Sequence, residues 1–343
     1  MQPQTKTLKL ANGVEFRYTD SGAPPSSTHD YFTLVGFHGT GFNNGIFTPL
    51  HQHAHQRNLR TIFVDRRGYG GSTPYSDAET EDLNAGKQAA YDAEGLEVAE
   101  ILAQLVDGEE ARNLAVMGWS RGNVLVMSLL GNPGAIPKEL YAKLEAQVRS
   151  FVLYDPPLQV LGLRATPEQV KDLPFIQPDV LAGGPLRVGE GFNRWVTGYY
   201  THPDIASGQL SGVWFGGGAT RFTMDGWTSE ERASWCEPLA GAAELVPDPE
   251  GRVAAIRTAQ TQRAVFDAGV VSEYFPRAKV LYLTGEETVG SCMWAYMYLQ
   301  RRVKEAERSR EVKFELVPKT NHFMHYDAAA EFMDRIVDSV QWQ

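Results

Sequence analysis

Residues 114–122, Leu-Ala-Val-Met-Gly-Trp-Ser-Arg-Gly, carry an apolar run into Gly-x-Ser-x-Gly with Ser120 at its centre, and a helix-compatible apolar stretch follows at 123–130. A strand that turns abruptly into a helix passes its backbone very close to itself, so the flanking positions need to lack a Cβ, and Gly118 and Gly122 meet that need. Such a turn leaves the serine Oγ exposed at the carboxyl edge of a sheet. The helix start behind it offers backbone N–H groups and a partial positive charge to an oxyanion. A serine hydroxyl is a weak nucleophile until a base takes its proton. This chemistry therefore requires a histidine within hydrogen-bond reach of Ser120 and a carboxylate that holds the imidazole in the right tautomer.

Three further motifs stand along the chain: Gly36-Phe37-His38-Gly39-Thr40-Gly41 after one apolar run, Asp65-Arg66-Arg67-Gly68-Tyr69-Gly70-Gly71-Ser72 after the next, and Asn321-His322-Phe323 near the end. Together with the elbow, and in this order, they resemble the α/β-hydrolase superfamily. The resemblance covers the two ends of the chain and leaves a long middle segment unmatched. It implies a mostly parallel central sheet flanked by helices with an inserted cap domain: residues 1–155 and 276–343 form the core and 156–275 the cap.

The resemblance also implies roles. His322 is the base, following the last strand and preceding a helix at 327–340, with His325 as the alternative. Family members usually place the acid after the penultimate strand, but here Leu283-Thr284-Gly285-Glu286-Glu287-Thr288 puts Thr288 at that position. A second family arrangement places the acid directly after the strand before the cap, where this chain has Tyr154-Asp155-Pro156-Pro157. The prolines end the strand, and Asp155 is the preferred acid, with Glu286 or Glu287 as alternatives. The Thr40 and Arg121 N–H groups are expected to bind the oxyanion, the choice between Thr40 and Gly41 being left open. His38 is expected to pack beneath that loop, and the turn at 65–72 to tie loops together.

Rival chemistries find little support. No Walker lysine or Gly-x-Gly-x-x-Gly follows the Gly-rich loop, which argues against phosphate binding. His51 and His55 would share a helical face beside His53, but without a third ligand they make no metal site. No cofactor is expected. A net charge of −10 offers no basic surface to nucleic acid or anionic membranes. The first ten residues lack an apolar h-region, no uncharged apolar run reaches bilayer length, and the two cysteines, Cys236 and Cys292, form no disulfide framework; a reducing cytoplasm is the expected setting. The oligomeric state is left open.

The element pattern agrees with a chain of 343 residues and 43% hydrophobic side chains, enough for one large α/β domain with an insertion. A hairpin is expected from 7–10 and 14–18 about Asn12-Gly13, then a Pro/Ser-rich loop. Strands at 32–37, 60–64, 114–117, 150–154, 279–283 and 312–317 alternate with helices at 46–57, 88–106, 123–130 and 138–147. Between 156 and 276, prolines and glycines are dense. The aromatic residues Trp195, Tyr199, Tyr200, Trp214, Phe215, Trp227 and Trp235 are expected mostly to build the cap's own core, a minority lining a pocket.

The reading that follows is a serine hydrolase that cleaves a carboxylic ester or lactone of a small hydrophobic substrate through an acyl-enzyme. A serine at the elbow argues against the dehalogenase and epoxide hydrolase branches of the fold, which use an aspartate nucleophile. Its acid before the cap resembles the layout of zearalenone-opening lactone hydrolases. The same fold also hosts ligand receptors and lyases or cyclases, which are the alternatives.

Overall fold

Burial on both faces is what a central parallel sheet demands of its strands. The runs Phe32–Phe37 (β3), Leu59–Val64 (β4), Leu114–Trp119 (β5), Val148–Tyr154 (β6) and Lys279–Gly285 (β7) are buried almost throughout. The computed structural model describes residues 3–25, 31–108 and 111–341; the expected Pro/Ser-rich loop falls partly on 26–30, outside the described residues. With Gln4–Lys9 (β1), Glu15–Asp20 (β2) and Val312–Val317 (β8), the strands form one eight-stranded sheet of order β1-β2-β4-β3-β5-β6-β7-β8. Only the β1–β2 and β2–β4 pairs are antiparallel.

The period of two along each strand divides the core between the faces. In β5, Leu114 and Val116 join the apolar cluster on one side, and Ala115, Met117 and Trp119 the cluster on the other. β4 and β6 divide alike: Ile62, Val64, Phe151 and Leu153 face the first cluster, Leu59, Phe63, Val152 and Tyr154 the second. Helices Gln88–Asp107 and Asn123–Gly131 cover the first face, and Thr48–Ala54 and Ala329–Gln341 the second. Asn123–Gly131 is buried at every residue, as an apolar helix sandwiched between sheet and neighbouring helices must be.

Strand order reverses at β3, whose neighbours are β4 on one side and β5 on the other. Loops leaving such a switch point diverge and open a crevice beyond the carboxyl ends of the strands. The loops after β3, β5, β6, β7 and β8 carry Thr40, Ser120, Asp155, Thr288 and His322 to that edge.

Boundaries differ from expectation where turn chemistry intervenes. The hairpin strands pair from Gln4↔Asp20 to Lys9↔Glu15, because Leu10 and Val14 enter the turn: Leu10 N–H donates to Val14 O and Gly13 N–H to Leu10 O, with Gly13 at φ +90°. The helix expected at 46–57 is a 3₁₀ turn Asn44–Phe47, an α-helix Thr48–Ala54 and a 3₁₀ turn His55–Arg57, ended by left-handed Asn58. The last helix breaks at Ala328 (φ −137°, ψ 45°) into Met324–Asp327 and Ala329–Gln341.

Between β6 and β7 the chain runs through short helices, among them Gly184–Val196, Ser229–Trp235, Pro238–Glu244 and Arg252–Thr261. Gly189 allows the first of these to touch the third, since a Cβ there would lie 1.9 Å from Pro238 O. The segment is tied to the sheet edge: Glu237 N–H and Asn193 Nδ2 both donate to Gly41 O, and Asn321 Nδ2 donates to Thr197 O. Arg252–Thr261 packs instead on the helices behind the sheet, where Arg257 donates to Glu94 and Ser128. Of the aromatic residues, Trp195 and Tyr200 are buried near Phe175 and Phe192, Trp227 and Trp235 pack toward Phe323 and Tyr326, and Trp214 is exposed.

The crossing of the β5 turn over β3 leaves no room for a side chain. A Cβ on Gly122 would lie 2.2 Å from Phe37 O, whereas Gly134 has no atom within 4 Å of the equivalent position. Gly122→Ala should therefore lower the unfolding free energy by about 1–3 kcal/mol in urea titrations. Gly134→Ala should stay within about 0.5 kcal/mol of the parent. Equal stability of the two variants would contradict this packing.

Candidate active site

Ser120 stands at the end of β5 with φ +53°, in the left-handed region, a placement that costs a non-glycine residue on the order of 1–3 kcal/mol. The surroundings enforce it. A Cβ on Gly118 would lie 2.5 Å from Asn123 Cα, and one on Gly39 would lie 2.7 Å from Ser120 Cβ. Asn123 fastens the turn, its Nδ2 donating to Ser120 O at 2.8 Å and to Tyr154 O at 2.9 Å, so the carboxyl ends of β5 and β6 are held together.

His322 and Asp155 meet directly. His322 Nδ1 lies 2.5 Å from Asp155 Oδ2, and both side chains are almost wholly buried. A carboxylate oxygen accepts in this contact, so Nδ1 is the donor nitrogen and Nε2 is left to face the site. Asp155 is itself left-handed (φ +47°), with its N–H donating to Leu283 O on β7. Thr288 Oγ1 donates to the same Oδ2, and Cys292 Sγ donates to Asp155 O at 3.2 Å. Thr288, which stands where an aspartate was expected, is thus a hydrogen-bond partner of the Asp155 carboxylate.

Ser120 joins this pair through its neighbour. The Trp119 indole lies 5.2 Å from the His322 ring, and its Nε1 donates to His322 O, as does the Tyr154 hydroxyl. Among the described residues Ser120 Oγ has no hydrogen-bond partner, so the contact with the base that the sequence reading requires is not made in this arrangement. Such bonds often close only around substrate.

The alternatives lie elsewhere. Glu286 accepts from the Lys319 N–H and Glu287 pairs with Arg221 near the surface. His325 Nδ1 is 3.1 Å from the Tyr154 hydroxyl, its ring edge-on to Trp119 and Phe47, and burial holds it well below the usual histidine range. His51 has both ring nitrogens on threonine hydroxyls, Thr61 and Thr19, and His55 Nε2 lies on Gly22 O. Among the described residues, Asp155, Cys292 and His322 are the one group whose donor atoms lie close enough, within 4.8 Å, to hold a metal ion. Burial pushes the Cys292 thiol well up, which disfavours the thiolate a soft metal needs.

The Gly39-Thr40-Gly41 loop arches beside the serine. Gly41 N–H donates to the Tyr69 hydroxyl and Gly41 O accepts twice, whereas among the described residues the Thr40 N–H has no partner. His38 lies beneath the loop: Nδ1 donates to Gly39 O and Nε2 accepts from Arg66 N–H, and burial lowers it to about 3. The turn after β4 supports the same loop, since Asp65 Oδ1 accepts from Asn44 N–H at 2.7 Å and burial pushes that carboxyl up to about 7. The sequence reading missed Thr288, Cys292 and Glu244 as contacts of the site. Only Thr288 left a signal, by occupying the position where an acid was expected.

A family model described as "Alpha/beta hydrolase family" matches residues 34–335. No curated protein sequence matches the chain. Solved structures are similar over nearly the whole length: an esterase from Exiguobacterium antarcticum (16% identity, TM-score 0.55, 98% of this chain and 100% of that one), a bromoperoxidase from Bacillus anthracis (14%, 0.56, 98% and 100%), and epoxide hydrolase A from Mycobacterium thermoresistibile (17%, 0.54, 99% and 98%). At these identities they share the fold.

The short Nδ1–Oδ2 contact should give a proton resonance downfield of the amide envelope in NMR spectra. Asp155→Asn should abolish it, Thr288→Val should shift it by removing the competing donor, and Glu286→Gln and Glu287→Gln should leave it in place. Loss of the resonance in either glutamine variant would contradict the pairing.

Proposed function

Because the chain belongs to the alpha/beta hydrolase family, we propose that it is a serine hydrolase that cleaves carboxylic esters or lactones of small hydrophobic substrates through an acyl-enzyme. The observation that carries this reading is a left-handed Ser120 at the end of β5, one residue from the indole that packs on a buried His322–Asp155 pair.

In this mechanism Ser120 Oγ attacks the carbonyl carbon as its proton passes to His322 Nε2. The positive charge that develops on the imidazole is met by Asp155 at Nδ1, and Thr288 holds the carboxylate toward the ring. The oxyanion is received by the N–H groups of Thr40 and Arg121. The bond from Gly41 N–H to Tyr69 supports Thr40 as the donor of the pair. His322 then gives its proton to the leaving alcohol, and water repeats the sequence on the acyl-enzyme.

Residues 156–275 act in this reading as a cap over a core of 1–155 and 276–343, supported by the bonds that Asn193 and Glu237 donate to Gly41 O and that Asn321 donates to Thr197 O. Apolar acyl or alcohol groups suit a site whose surroundings are aromatic, with Phe42 and Phe323 in contact with each other and each with Trp119 and Trp227. A serine at the elbow favours ester over epoxide chemistry. No helix among the described residues is long and apolar enough to cross a membrane. Both cysteines are free, as a reducing cytoplasmic setting would keep them.

Ser120→Ala and His322→Ala should each abolish turnover of activated esters with circular dichroism unchanged, and the double variant should lose little more than either alone. Additive losses would contradict a shared proton-transfer unit. Asp155→Asn should lower kcat by on the order of 10³ to 10⁴, because the amide favours the wrong imidazole tautomer. A single burst without turnover in the parent protein would favour a ligand receptor.

Hydrophobic cyclic or aromatic esters should give higher kcat/KM than short anionic ones. A small anionic ester turned over equally well would contradict the proposed substrate class.

A further inference from the structure

One carboxylate of the segment between β6 and β7 reaches both sides of the oxyanion region. Glu244, the last residue of helix Pro238–Glu244, accepts from Thr40 Oγ1 at 2.7 Å through Oε2. Arg66 grips it with both Nη atoms, at 2.6 Å to Oε1 and 3.0 Å to Oε2, and Arg121 Nε lies 3.6 Å from Oε1. Arg66 Nη2 also donates to Gly39 O, and its backbone N–H donates to His38. The side chains of Thr40 and Arg121, which contribute the two backbone donors proposed above, thus converge on a single anion more than a hundred residues from either in the chain.

This anion stays charged. Burial raises the Glu244 carboxyl, but Arg66 and then Arg121 pull it down to about 2. A permanent negative charge beside a developing oxyanion opposes it electrostatically, and with two guanidiniums present the cluster keeps one net positive charge. A carboxylate here makes sense through geometry rather than field: it fixes the two donors at the separation the oxyanion requires.

Resting on the serine-hydrolase reading, we propose that Glu244 is a positioning residue that sets the oxyanion donors and makes their alignment depend on the docking of the inserted segment. The alternatives differ in sign. If Glu244 acted through its charge alone, its removal would leave two uncompensated guanidiniums near the oxyanion and raise kcat. If it acted only in stability, its removal would lower Tm and leave kcat per folded molecule unchanged. If it positions the donors, kcat falls while KM holds, and a small carboxylate that refills the vacated cradle restores activity.

The test measures kcat and KM on one activated ester for Glu244→Ala, Glu244→Gln and Thr40→Val, with and without formate, alongside Ser120→Ala and thermal unfolding of each. Glu244→Ala should lose about tenfold to a hundredfold in kcat, up to the cost of one oxyanion donor. KM should change less than about threefold, and formate should restore part of kcat in this variant and not in Glu244→Gln, whose amide still fills the cradle. Because removing one partner of a buried pair is destabilising, Glu244→Gln and Thr40→Val carry the test if Glu244→Ala does not fold. Each should lower kcat, and the double variant should lose less than the sum, since the two share one contact. Unchanged or increased kcat in folded Glu244 variants, with Ser120→Ala inactive, would overturn this inference and leave the serine-hydrolase reading standing. Turnover by Ser120→Ala would instead overturn that reading.

Discussion

The site depends on a backbone crossing that has no room for a side chain. Phe37 of β3 lies level with Gly118 of β5, so the two loops leave the sheet side by side and must share the same space. They do so because Gly39, Gly118 and Gly122 lack a Cβ: a carbon on any of them would lie within 2.7 Å of an atom from the other loop or from the turn itself. The left-handed serine, the Gly-rich arch beside it and the helix start behind it are consequences of this one contact. Asn123 and His38 supply polar bonds that backbone groups packed this closely need.

A second constraint is the burial of charge at the same edge. Asp155 is fully buried, and its Oδ2 is satisfied by His322 and Thr288 while its backbone carbonyl takes the Cys292 thiol. Glu244 is compensated by Arg66 and Arg121, and Arg67 by Glu79 and Glu97. Breaking one member of such a set leaves an unpaired buried charge, at a cost of about 3–5 kcal/mol. The loops at this edge are therefore held by polar partners from several elements, with Asn321 and Asp327 tying the loop after β8 to the segment between β6 and β7.

What was legible in the sequence was what is local. The strands around β5 show as short apolar runs, and the elbow shows because Gly118, Ser120 and Gly122 are fixed by geometry within five residues. The helix behind them is equally local, whereas His322 and Asp155 were singled out by the resemblance to the α/β-hydrolase superfamily. Interactions between distant segments were not legible. Thr288 reads as a missing acid until β7 is placed beside β6, where its hydroxyl meets Asp155. Glu244 leaves no local trace, since its partners lie at Thr40, Arg66 and Arg121. Between 156 and 275 the helix Gly184–Val196 is amphipathic, but most of its neighbours are seven residues or shorter, too short to show a hydrophobic period, and their packing is set by contacts such as Gly189 on Pro238 that no spacing encodes.

The central claim is that Ser120 forms a covalent acyl-enzyme. Intact-mass spectrometry of protein quenched during turnover of a slow-deacylating ester tests it directly. The account predicts a mass increase equal to the acyl group, mapped by peptide digestion to the segment containing Ser120 and absent in Ser120→Ala. Turnover with no acyl adduct under conditions where deacylation limits the rate, or an adduct on another residue, would contradict it.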